Sequence, residues 1–513
     1  MQAFLERHQA DVLGVLSGFD RVRFGGSLRS LDYLKGFDKF LGAQGVLYKD
    51  FGKFVERVSD RVKAHARAFA ERHGRPLEYL ESSSISKEQV AREIAQRDGI
   101  TKGLVCVLSC VEPCRTYSVR NNRRTKLLEV VPARRKCLCL YFYFLDREFG
   151  LMHVRLQTWL PMPMQVCLNG REYLARRLTQ AGIGYEQRDN CFTRIDDLPR
   201  AQQMLDDLEK RNWVAFLDAF ARRLNPWMGG QHPLDGRGYY WTMQESEYAT
   251  DVMFTSRQAL ARVYPALVRH VLEQFSCRDM LRFLGRGGNG RFQGPASGNL
   301  KHRQEGVRVK HWVDENSIKM YDKQGSVLRV ETTINNPRRF KVRRAVTRNG
   351  ERTAAWIPMR KSVADIRRRV EVSRAANERY FEALGVVGDS SPTRILTDPV
   401  SRRIIRDGRP YRALRPIDPE EARLFSLLVD GNFMIQGFRN RDIRERLMPH
   451  VKKSSDDRRR ASARISRLLR LLRAHHLIRK VSTTSYYRVT SQGQQLMTTA
   501  LRLRELSVHT IAA

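Results

Sequence analysis

Long apolar runs are missing from this chain. The longest, "CLCLYFYFL" from Cys137 to Leu145, falls far short of the ~20 residues a helix needs to cross a bilayer, so no membrane partner is expected. The opening "MQAFLERHQADVLG" carries Glu6 and Asp11 and lacks the basic-then-apolar order of a secretion signal. The expected compartment is the cytoplasm, where the eight cysteines stay reduced. No tandem repeat is seen, and the two β-rich blocks resemble each other only in pattern. The twelve histidines include no His-hydrophobic-His pair, so a bound metal would have to sit on carboxylates, as hard cations prefer. "GRGGNGRFQG", Gly285 to Gly294, is glycine-rich but lacks a Lys-Ser/Thr ending and a strand-then-helix setting. It reads as a loop, not a phosphate cradle.

Acidic residues are the scarcest class relative to need. Against 55 Asp+Glu stand 93 Lys+Arg, a formal net charge of +38 over 513 residues. Such an excess repels itself unless a polyanion is near, and nucleic acid is the commonest one. With 42% hydrophobic residues the chain can bury sizeable cores, and its length exceeds what one core serves. The expected class is α+β and multidomain.

Patterning divides the chain into five regions. Residues 1–100 read as mainly helical, with "SKEQVAREIAQRD" (Ser86–Asp98) opening on a serine cap and ending before Gly99. Residues 101–235 read as a first α/β module: a strand from Gly103 to Cys110, then two long strands within Lys136–Leu160 joined around Asp146–Gly150. The second of these alternates, with Met152, Val154 and Leu156 on one face and His153, Arg155 and Gln157 on the other. Residues 236–385 form a second α/β module and 386–416 a Pro/Asp/Ser/Arg-rich linker with one Asp407-Gly408 turn. Residues 417–513 close the chain. Cysteines 106, 110, 114, 137 and 139 do not match zinc spacing on tight turns and read as small buried hydrophobes.

Two stretches carry candidate chemistry. "NSIKMYDKQGSVLRVE", Asn316 to Glu331, predicts a hairpin with Ile318, Met320, Leu328 and Val330 on a buried face. Lys319, Tyr321, Arg329 and Glu331 take the other face. Only a loop of odd length keeps those faces sorted, and Lys323-Gln324-Gly325 is the expected one. The neighbouring strand Gly306–Val313 adds either Arg308 and Lys310 or His311 to the polar face. Cations beside an aromatic ring suit phosphates and a stacked base. Farther upstream, "YYWTMQESEYATDVMF" (Tyr239–Phe254) puts Gln244, Glu247 and Asp251 on one helical face by their spacing of three and four. With Glu331, the residues Glu247 and Asp251 form a candidate ligand set for Mg²⁺ or Mn²⁺. The plainer alternative makes Lys319–Glu331 a cross-strand ion pair and Glu247 and Asp251 a solvated face. His153 and Arg155, with Tyr141 and Tyr143 alongside, give a second candidate nucleic-acid face.

The other stretch is C-terminal. Helices are expected at Pro419–Val429, Phe438–Leu447 and Asp456–Ile478, then two short strands around Ser482–Ser485 and a last helix from Ser491. On the third helix Ile465, Leu468, Leu469 and Leu472 form an apolar stripe. Arg460, Arg464 and Arg467 lie roughly opposite, with Arg470 to one side and Leu471 among them. This order resembles a winged helix-turn-helix of MarR-type regulators, which implies DNA binding by the third helix. The K-x-Y-D-K and R-x-E order of Lys319, Tyr321, Asp322, Lys323, Arg329 and Glu331 resembles rolling-circle replication initiators of plasmids and filamentous phages. That resemblance implies Tyr321 as a nucleophile toward a DNA phosphate, with a carboxylate-bound metal and Lys319, Lys323 and Arg329 as phosphate clamps. The whole chain also resembles uncharacterised bacterial proteins, which implies no activity. Together these readings point to a nucleic-acid-binding protein, DNA favoured and RNA possible. It would be a mobile-element nicking protein or else a non-catalytic transcription regulator or structured-RNA binder.

Overall fold

Strand-forming alternation, more than helix periodicity, organises this chain into a mixed α/β protein. A computed structural model describes residues 1–228, 234, 236, 238–275, 277–284, 296–303, 306–348, 351–387, 392–430, 433–434, 437–449, 455–481 and 484–506. The Gly285–Gly294 loop lies outside these residues. The chain divides into two units, each discontinuous in sequence: residues 16–248 with 360–370, and residues 1–15 with 249–359 and 371–513. The expected boundaries near residues 100, 235, 385 and 416 do not coincide with these divisions.

The first unit holds β1 (Val12–Leu28, from residue 16), β2 (Leu77–Leu80), β3 (Gly103–Asn121), β4 (Leu128–Asp146), β5 (Gly150–Gln157) and β6 (Met164–Asn169). They lie in the order β1-β6-β5-β4-β3-β2, antiparallel except for the parallel β2–β3 pair. A small hairpin, β7 (Tyr185–Arg188) and β8 (Cys191–Ile195), stands apart from this order. The β4–β5 hairpin turns at 147–149, where it was expected, and the Ser86 cap is formed by its hydroxyl accepting from the Gln89 amide. The long β1 corrects the mainly helical reading of residues 1–100. "VLGVLSGFDRVRFGGSL" has six glycines and serines that break helix propensity, and its apolar residues pack on both faces. Gly170, opening the helix Gly170–Gln180, sits where any Cβ would lie 1.9 Å from the Phe19 carbonyl oxygen. Only glycine permits that approach.

The second unit contains β9 (Tyr239–Phe254, from residue 249), β10 (Ala296–Arg303), β11 (Gly306–Val313), β12 (Asn316–Lys323) and β13 (Val327–Ile334). Their order is β10-β11-β12-β13-β9. The helices Arg257–Gln274 and Ile366–Leu384, the latter from residue 371, contribute Leu260, Leu267, Tyr380 and Phe381 to the apolar core, against Val309, Ile318, Met320, Leu328 and Val330. Three further hairpins follow: β14 (Lys341–Arg348) with β15 (Glu351–Pro358), β16 (Ile404–Arg406) with β17 (Arg409–Tyr411), and β18 (Ile478–Lys480) with β19 (Tyr487–Val489).

Tyr239–Phe254 is a strand, which corrects the helical reading. The error has a simple source. A spacing of four puts Glu247 and Asp251 on one face of either a helix or a strand, whereas Gln244 moves to the opposite strand face. The aromatic and β-branched residues Tyr239, Tyr240, Trp241, Thr242, Thr250 and Val252 favour the strand.

His311 falls on the apolar side of β11, 3% exposed, with its ring 6.1 Å from that of Tyr380. Burial drives its pKa down to about 4. A folded-state value below the unfolded one of about 6.5 means that the neutral ring is favoured on folding. Its contribution is complete above pH 6.5 and is lost as the pH falls toward 4, at most about 3 kcal/mol. His311→Phe is therefore expected to narrow the stability loss between pH 7 and pH 4.5, read from urea midpoints. An unchanged pH difference would refute the assignment.

Candidate nucleic-acid interface

The hairpin keeps its two faces sorted by an odd loop, as expected, but the loop is Gln324-Gly325-Ser326, one residue further on. Lys323 pairs with Val327, so Lys319 faces Glu331, Tyr321 faces Arg329 and Met320 faces Val330. Gln324 and Gly325 take φ of 57° and 77°, a left-handed pair that glycine eases. On the other side Arg308 pairs with Tyr321 and Lys310 with Lys319. Of the two sets left open for β11, Arg308 and Lys310 share the polar face.

That face is internally matched. The Lys319 ammonium lies 2.6 Å from the Glu331 carboxylate, and the Tyr321 hydroxyl donates to the same carboxylate at 3.0 Å. Arg329 donates from Nε and Nη2 to the two Asp251 oxygens at 2.6 and 2.9 Å. Glu331, Arg329 and Asp251 are at most 1% exposed, and Lys323 is 8% exposed. Arg329 and Lys323 therefore do not present phosphate clamps on a surface, which corrects that expectation. A cation that has lost its water must be paired, and a carboxylate on the next strand is the nearest partner.

Two of the three expected metal ligands already have polar partners. Asp251 spends both oxygens on a guanidinium, and Glu331 is shared between an ammonium and a phenol. Glu247 belongs to the other unit, where its carboxylate lies within 4.8 Å of that of Asp20. The cross-strand ion pair is the arrangement found for Lys319 and Glu331.

His153 and Arg155 also turn inward. Burial pushes the His153 pKa down to about 4. The Arg155 guanidinium, 14% exposed, bonds Glu112 at 3.0 Å and the Cys139 sulfur at 2.9 Å. Neither presents the open face expected of the first module. The cysteines of this region are buried and unbridged, as expected.

Of the cations singled out from the sequence, the exposed ones are C-terminal. The helices Pro419–Leu428, Asn440–Leu447, Ser455–Ala474 and Ser491–Glu505 enclose one apolar core with β18 and β19. Ile465, Leu469 and Leu472 are buried in it, as their spacing predicts, and Leu468 is half-buried. Arg460, Arg464, Arg467 and Arg470 are all exposed, and none enters an ion pair among the described residues. Asp456–Ile478 carries seven arginines and two aspartates.

Leu471, which interrupts the arginines in sequence, is buried. The segment read as a linker explains it. Asp407 and Gly408 take φ of 52° and 69°, making the expected two-residue turn of the β16–β17 hairpin. Arg406 donates to the Arg473 carbonyl at 2.7 Å, and His475 bonds the Arg412 carbonyl at 2.9 Å. The hairpin thus lies along the end of the arginine helix, and Val400 and Leu414 enter the same core. Between hairpin and helix is a recess of about 440 Å³ lined by Arg409, Tyr411, Arg412, Arg464, Arg467 and Arg470, among others. Arg412 is matched by Glu421 at 2.6 Å. Sequence reasoning missed Arg409, although its place beside an Asp-Gly turn was a usable signal.

It also missed the β18–β19 pair. Arg479 stands directly opposite Arg488, and both are exposed. Like charges placed across a ladder destabilise it, so the free protein carries a local electrostatic cost there.

No protein-family model matches this chain, and no curated protein or solved structure matches it either.

Proposed function

We propose that this chain binds nucleic acid, engaging duplex DNA through a winged helix-turn-helix within residues 417–506. One observation carries the reading: Arg460, Arg464, Arg467 and Arg470 are exposed together on one helix, without carboxylate partners among the described residues. The order of three helices, a short hairpin and a last helix around a single core supports the docking mode in which the third helix enters the major groove. The Arg479–Arg488 pair supports it too, since a phosphate between two guanidiniums would relieve their repulsion. The matched polar face of β12–β13 favours a non-catalytic binder, such as a transcription regulator, over a nicking enzyme.

Fluorescence anisotropy with duplex DNA, single-stranded DNA and RNA of equal length tests this. Duplex DNA is expected to bind tightest, with log affinity falling against log salt at a slope of about −4 or steeper, for four or more phosphate contacts. Tighter binding of RNA would make the protein an RNA binder. Indifference to all three at about 0.15 M salt, where the screening length is about 8 Å, would reject the proposal. A covalent Tyr321–DNA adduct, lost in Tyr321→Phe, would turn the reading to strand scission.

A further inference from the structure

Five of the eight cysteines, Cys106, Cys110, Cys114, Cys137 and Cys139, are buried on one side of the β3–β4 ladder. Buried thiols alone behave as small hydrophobes. These differ because charged groups reach them. The Cys114 and Cys139 sulfurs are 3.5 Å apart, and Nη2 of Arg155 donates to Cys139 at 2.9 Å and to Cys114 at 3.6 Å. The same guanidinium is held from behind by Glu112, which also accepts from Tyr141 at 2.5 Å and faces Lys87 at 3.5 Å. Arg155, Glu112 and Lys87 are 11–15% exposed, so the side chains around the sulfurs reach solvent.

We propose that Cys114 is oxidised by hydroperoxides and then joined to Cys139 as a disulfide. The Cys114 thiolate attacks one peroxide oxygen, the O–O bond breaks, and the alkoxide or hydroxide leaves as alcohol or water after taking a proton. Sulfur is oxidised by two electrons to a sulfenic acid and the peroxide is reduced by two. The Cys139 sulfur then attacks Cys114, the S–O bond breaks, and hydroxide leaves as water with the proton from the Cys139 thiol. The two sulfurs must close from 3.5 Å to the ~2.05 Å of a disulfide, and because Cys139 pairs with Cys110 and Cys114 with Arg135 in the ladder, the backbone shifts as they do. Hydrogen bonds from Cys137 and Cys139, and then the Arg155 guanidinium, outweigh burial and hold the Cys114 thiol well below its ordinary range. The thiolate is the nucleophile in such chemistry.

Cys277, which is exposed, serves as an internal comparison. The full chain is treated with hydrogen peroxide, quenched by alkylation and mapped by peptide mass spectrometry. A Cys114–Cys139 cross-link is expected to appear about tenfold faster than oxidation of Cys277, because reactivity follows thiolate character. In Cys139→Ser the cross-link disappears and dimedone labels Cys114. Arg155→Lys, which keeps the charge but not the two-sulfur reach, slows the labelling. Cys277 oxidised while Cys114 stays a thiol overturns the proposal, as does Cys139→Ser without a dimedone adduct.

Discussion

Replacing Arg464 and Arg467 together by glutamate is expected to weaken duplex DNA binding by at least about 100-fold, with the fold intact. Each arginine that meets a base edge or phosphate contributes about 1–3 kcal/mol, and reversal adds repulsion to the loss. Both side chains are exposed and unmatched among the described residues, so their removal leaves no buried carboxylate behind. The salt slope should fall by about 1.8, two contacts at about 0.9 each. On the hairpin, Arg488→Ala should behave differently again. It relieves the repulsion with Arg479, worth a few tenths of a kcal/mol in the free protein, yet lowers affinity. A variant more stable alone and weaker on DNA separates a binding role from a packing role. Anisotropy and thermal melts on the same preparations decide it. Undiminished affinity in the double variant would place the DNA surface elsewhere.

Asp251→Ala is expected to produce the largest loss of stability of any single charge removal on the β12–β13 face. It strands the Arg329 guanidinium, 1% exposed, without its bidentate partner. Removing one member of a buried pair costs about 3–5 kcal/mol, because the remaining charge stays desolvated. For a cooperative unit of this size that lowers the melting temperature by about 10 °C. Asp251→Leu combined with Arg329→Met should recover most of the loss, since an apolar pair of similar volume has no charge to desolvate. Calorimetry of the single and double variants makes the comparison. A single-variant loss below about 1 kcal/mol, the range of surface pairs, would mean that the pair is solvated. DNA affinity measured well below the melting temperature should not change.

Periodicity made part of this legible. The C-terminal helices, the β4–β5 hairpin and the odd loop after β12 follow from residues whose period is unambiguous. Tyr239–Phe254 failed because Glu247 and Asp251 are four apart, which fits both periods. Sequence also does not say which cations are buried. Lys319, Arg329 and Arg155 look like surface clamps by type, and only packing reveals that each has a carboxylate within about 3 Å. The arginines of the third helix were legible because their opposite face is so clearly apolar. Leu471 looked like a flaw in that pattern until the β16–β17 hairpin supplied its cover.

The interleaving of the two units has a consequence for synthesis. Residues 1–15 belong with segments that begin at 249 and resume at 371. On the ribosome they must therefore wait for more than two hundred residues before their partners emerge. Contacts of such separation close slowly and leave apolar side chains such as Phe4 uncovered meanwhile. Neither unit can be isolated by a single cut, and any attempt to express one alone will have to splice across the gap left by the other.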